Sequence, residues 1–131
     1  MSRFIHDATL DAAKAPPEVE VIFGSAQVGN YLCNLWESNT ATTAKQIANG
    51  NNVDTVIDRF PVGQPAGQLK GKLLGFSLVM QSPKPGPGEM FSATVLIRQG
   101  NDVVTGGVIQ DSGQFPPGAD SVARLHYVRL L

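Results

Sequence analysis

His6 and His126 are the only histidines in the chain, and Cys33 is its only cysteine. These are the side chains whose chemistry lies nearest neutral pH, because imidazole titrates there and a thiolate is a nucleophile. A serine or cysteine nucleophile would need one of the two imidazoles as its base. Ser25, Asp111 and His126 supply the residue types of a serine hydrolase or an isomerase, but from three separate segments with no motif joining them. Ser25 lacks the G-x-S-x-G setting that would lift it onto a strand-to-helix elbow. Gly24 to Gly29 has the glycine spacing of a phosphate loop, yet Asn30 and Tyr31 stand where Lys and Ser or Thr are required. Asp54 and Asp58 share one side of an extended strand about 13 Å apart, beyond the roughly 5 to 9.5 Å of paired glycosidase acids. His126 reads as core-edge packing and Cys33 as a small buried hydrophobe. The balance leans away from an enzyme, and no cofactor or metal site is expected.

Binding chemistry is better represented. Asn49, Asn51, Asn52 and Asp54 cluster amide and carboxylate oxygens on an expected turn, suited to sugar hydroxyls. The D-x-[DN]-x-[DN]-G spacing of a calcium loop is missing there. Trp36, the single tryptophan, shares a strand face with Asn34 and offers a stacking surface or a core plug. Phe4, Ile5 and Phe115 are the candidate partner contacts, the first two on an amino-terminal arm and the third in a proline-rich loop.

The elements that must hold these residues are strands. Met90 to Gln110 reads as a hairpin turning at Gly100-Asn101, with Gln99 opposite Asp102, Ile97 opposite Val104 and Val95 opposite Gly106. Gly106-Gly107 marks a bulge or a close backbone approach within it. Glu18 to Phe23, Asn30 to Glu37, Val53 to Phe60, Lys72 to Gln81 and Ser121 to Leu131 also read as strands, and Thr43 to Ala48 as an edge strand or a short helix. In the last strand Ala123, Leu125 and Tyr127 are expected inward, Arg124 and His126 outward. Residues 1–17 form an arm, with a short helix over Phe4 to Ala12 stopped by Pro16-Pro17. Ser82 to Glu89 is a stiff loop.

These elements predict an all-β fold: an antiparallel two-sheet β-sandwich of about seven to eight strands with Greek-key connections, the alternative being a partly closed barrel. One domain over residues 18–131 follows the arm. Ten basic against eleven acidic residues form no basic stripe, which excludes a general nucleic-acid binder. No apolar run approaches a membrane span, and the amino terminus lacks a secretory signal, so a soluble, cytoplasmic protein is expected. The favoured function is a non-catalytic interaction or assembly module, with a protein partner or a second copy of itself. A carbohydrate-binding module and the loop-assembled hydrolase or isomerase stand as alternatives.

Overall fold

The computed structural model describes residues 2–24, 28–38, 40–52, 58–82 and 89–131. Nine strands among them build two sheets. They are β1 (Ser2–Ala8), β2 (Pro17–Phe23), β3 (Val28–Trp36), β4 (Lys45–Asn51), β5 (Asp58–Pro61), β6 (Leu73–Gln81), β7 (Met90–Gln99), β8 (Asp102–Gln114) and β9 (Ser121–Leu130). A five-stranded sheet runs β1-β9-β6-β3-β4 and a four-stranded sheet β5-β2-β7-β8, facing each other as a β-sandwich. The chain changes sheet at every connection except the hairpins β3–β4 and β7–β8. One isolated bridge, Thr9 to Thr105, joins the sheets at a corner and leaves the barrel open.

Alternation along the strands produces the core. Tyr31, Cys33 and Leu35 of β3, Leu74, Phe76, Leu78 and Met80 of β6, and Val128 and Leu130 of β9 project from one sheet. Val19 and Val21 of β2, Phe91, Val95 and Ile97 of β7 and Ile109 of β8 meet them from the other, in one cluster. A short helix, α1 (Ala66–Leu69), lies in the Gly- and Pro-rich connection before β6 and buries Ala66 and Leu69.

Three features differ from the sequence expectation: the arm, the faces of the last strand and the hairpin register. The arm is not helical: Ser2–Ala8 forms a strand, parallel to β9 from Ser2 opposite Arg124 to Ala8 opposite Leu130, and accounts for a strand beyond the expected number. Residues 9–16 are tied down through buried Gln99, whose amide accepts from Asp11 N (2.9 Å) and donates to Asp11 O (2.8 Å) and Ala15 O (2.9 Å). The faces of β9 are exchanged, with His126, Val128 and Leu130 inward and Leu125 and Tyr127 on the outer face. The hairpin begins in the expected register, Gln99 opposite Asp102, then slips so that Val95 faces Ile109 in place of Gly106. The slip is taken up at Gly106, whose φ of +76° favours glycine and where a Cβ would strike the carbonyl of Asp7. Thr43 to Ala48 resolves as strand from Lys45 onward. Most of the expected strand at Val53 to Phe60 and most of the Ser82 to Glu89 loop lie outside the described residues.

Candidate functional site

Two groupings of side chains stand out, one on a surface and one between the sheets. The register of the five-stranded sheet places Asn34, Gly75, Tyr127 and Ile5 in one transverse row of its outer face, and Trp36, Leu73, Arg129 and Asp7 in the next. The indole of Trp36 reaches across to Gly75, where a Cβ would sit 2.5 Å from its Cζ3. It meets Tyr127 edge-on, with ring centroids 5.7 Å apart. Only a residue without a side chain leaves room for that indole to lie down on the sheet. Both aromatics are half-buried.

Amides line the adjoining strands on the same face. Asn30 and Asn34 come from β3, and Gln46, Asn49 and Asn51 from β4, with Asn51 opposite Asn30 and Asn49 opposite Leu32. Leu32, Ser77 and Leu125 form the row between. The charged residues, Arg3, Asp7 and Arg129, keep to the β1 and β9 side, where Arg129 donates two hydrogen bonds to Asp7 at 2.6 and 3.0 Å. The Arg129 hydrogen bonds hold the Asp7 carboxyl below its ordinary range.

The other outer face is different. It is crossed by Arg59 donating to Glu18 at 2.7 Å and Arg98 donating to Glu20 at 3.2 Å, with Thr94, Gln110 and Ser112 between and Ile22, Leu96 and Val108 as its apolar members. The sheet edges are also defended. Lys45 stands on β4, Pro61 ends β5, β8 carries a bulge and the inward carboxylate of Asp111, and β1 presents Arg3 and Asp7. Such devices discourage strand-to-strand pairing between molecules.

Between the sheets lies a polar chain. Asp111 of β8 and His126 of β9, both buried, meet at 2.8 Å through His126 Nε2. A carboxylate only accepts, so His126 carries its proton on Nε2 and offers Nδ1 to His6 Nε2 of β1, 2.9 Å away. Arg124 Nε stands 3.3 Å from the same Asp111 oxygen as an ion pair, its N–H not aimed at the carboxylate. Its guanidinium sits over the rings of Phe4 and Phe91 at 5.5 and 4.8 Å, and Phe4 stacks on His126. Burial and the neighbouring His126 push the His6 imidazole below its ordinary value, with Asp111 and Asp7 opposing.

The predicted site residues are thus distributed. Trp36, Asn49 and Asn51 share one face, but Asn51 lies opposite Asn30, six residues or about 20 Å along β3 from Trp36. Asn52, just past that strand end, accepts from Gly29 N at 2.8 Å through its Oδ1. Asp54 and Ser25 lie outside the described residues. Phe115 is buried edge-on against Phe91, Phe4 covers His126, and Ile5 is 68 % exposed. Asp111 and His126 do come together, as their residue types permitted. Tyr127, Gly75, Asn34 and Gln46 were not singled out, although Asn34 and Trp36 alternate onto one face in the sequence itself. Burial pushes the Cys33 thiol up to about 12, which leaves it inert. No group of histidine, cysteine and acidic residues among the described residues could hold a metal, and no described helix is long and apolar enough to cross a membrane. No protein-family profile matches the chain, and no curated protein or solved structure matches it either.

Proposed function

We propose that this chain is a non-catalytic binding module that takes a neutral glycan across the outer face of its five-stranded sheet. The carrying observation is Trp36, laid over Gly75 against Tyr127 and flanked by the amides of Asn34 and Gln46. A pyranose ring has an apolar C–H face that stacks on an indole and an equatorial rim of hydroxyls that pair with amides, each amide both donating and accepting. Charged groups stay at one margin of this face, so nothing at its centre favours an ionised ligand. An open sheet encloses a ligand poorly, and weak binding follows, with Kd of about 10 μM to 1 mM.

Trp36 is the only tryptophan, so its fluorescence reports directly on the face. Titration with neutral oligosaccharides should change that emission for at least one class, and Asn34→Ala should weaken binding about tenfold on loss of its hydrogen bonds. Glycan-array binding should vanish in Trp36→Ala. A silent array, or binding indifferent to Trp36→Ala, would sink the glycan reading.

Self-assembly is the second reading, favoured by one observation: Ile5, 68 % exposed, extends the Tyr127 row to the margin of the same face. Light scattering should then show a mass that rises with concentration and reverts to a monomer in Ile5→Glu. A constant monomer mass would reject it.

A further inference from the structure

We propose that the Asp111–His126–His6 chain is an acid-sensitive clasp that holds β1 on the sandwich near neutral pH and releases it on mild acidification. The inference stands on the geometry of this cluster and is independent of any ligand on the outer face. Three strands from two sheets converge there: β8 with Asp111, β9 with His126 and Arg124, and β1 with Phe4 and His6.

Neutral imidazoles satisfy both hydrogen bonds of the chain. His126 Nε2–H donates to Asp111, and His6 Nε2–H donates to the lone pair on His126 Nδ1. One added proton can be shared, if His6 moves its own hydrogen to Nδ1 and accepts from His126. A second proton cannot. Two imidazolium rings would place N–H groups head to head across 2.9 Å, beside the Arg124 guanidinium and with Asp111 as the one carboxylate in the chain. Asp7, the other acid near His6, is already engaged by Arg129. The cluster therefore tolerates fewer protons than the same residues do when β1 is free.

The sign follows from linkage. His6 has a lowered value when docked and regains its ordinary 6.5 when released, so the released state binds more protons below that value. Docking is undiminished above pH 6.5 and weakens as pH falls from there toward the lowered value. The exposed Arg129–Asp7 pair, whose acid titrates lower, persists through this window. The first strand then keeps its backbone pairing with β9 and its surface ion pair but has lost its inner clasp.

The test is amide hydrogen exchange on the full chain, read by NMR at about pH 7.5 and about pH 5 and corrected for intrinsic exchange. Protection of Arg3 to Ala8 should fall about tenfold relative to Leu74 to Met80 of β6, which serves as the internal reference. In His6→Gln, whose amide hydrogen-bonds but does not titrate, the β1 protection ratio should no longer change with pH. His126 is buried in the core, so the substitution is made at half-buried His6, and His6→Gln carries the conclusion. The proposal is overturned if β1 and β6 keep a fixed ratio of protection across the pH range in the wild type, or if His6→Gln retains the full acid response.

Discussion

At the scale of single residues, burial decides which polar contacts matter. Asp111 accepts from His126 and neutralises Arg124 in the interior, whereas the Arg59–Glu18 pair is about two-fifths exposed on both sides. Asp111→Ala would strand a guanidinium and an imidazole N–H in the interior and should cost about 3–5 kcal/mol in a chemical denaturation experiment. Glu18→Ala should cost less than about 1 kcal/mol. Gly75→Val tests the surface in the same way. Its side chain must lift the Trp36 indole, so tryptophan emission should shift to the red, and a value unchanged from the wild type would contradict the placement of that ring. The sequence named Trp36, Asp111, His126 and His6 but not which of them meet or, for Trp36, what it meets. Trp36 met Gly75 and Tyr127 only because strands distant in sequence pair, and no local spacing encodes that adjacency.

At the scale of elements, alternation located the strands and failed where both faces are apolar. In β9, Leu125 and Tyr127 compete with Val128 and Leu130, so polarity alone does not say which set turns inward, and His126 faces the core by virtue of Asp111 waiting there. The arm was harder still. Phe4, Ile5 and Ala8 fit a helical stripe, yet Phe4, His6 and Ala8 alternate onto the inner side of β1, and the parallel partner that selects this option is near the other end of the chain. The hairpin register was legible from Gly100 to Val103 and lost where β8 bulges toward β1. Gly106→Ala puts a Cβ on a left-handed backbone against the Asp7 carbonyl. It should cost about 1–3 kcal/mol, measurable as a lowered Tm, with the largest gain in hydrogen exchange at β1 and the start of β8. A chain beginning at Glu18 loses a strand and Leu10 from the core, and leaves His126 without its cover. It should precipitate or unfold at lower temperature than the full chain, and equal thermal stability would show that β1 is dispensable.

Across the whole molecule, polar ties secure both flanks of the sandwich. His126 and Asp111 join β9 to β8 on one side, and the hydrogen bond of Tyr31 to Asp58 joins β3 to β5 on the other, where burial and that carboxylate raise the tyrosine value. Two such ties fix how far one sheet can slide over the other, a constraint that an apolar core alone imposes loosely. The pairing of the first strand with the last demands closure of nearly the entire chain, so folding should be slow, in milliseconds to seconds by stopped-flow fluorescence of Trp36. The parallel sense of that pair also determines how the molecule bears load. Tension applied outward through Ser2 and Leu130 pulls β1 and β9 in opposite directions along their length, so the seven register pairs from Ser2–Arg124 to Ala8–Leu130 are sheared together and not unzipped in turn. Stretched by its two ends, this sandwich is a mechanical lock whose bolt is its own first strand.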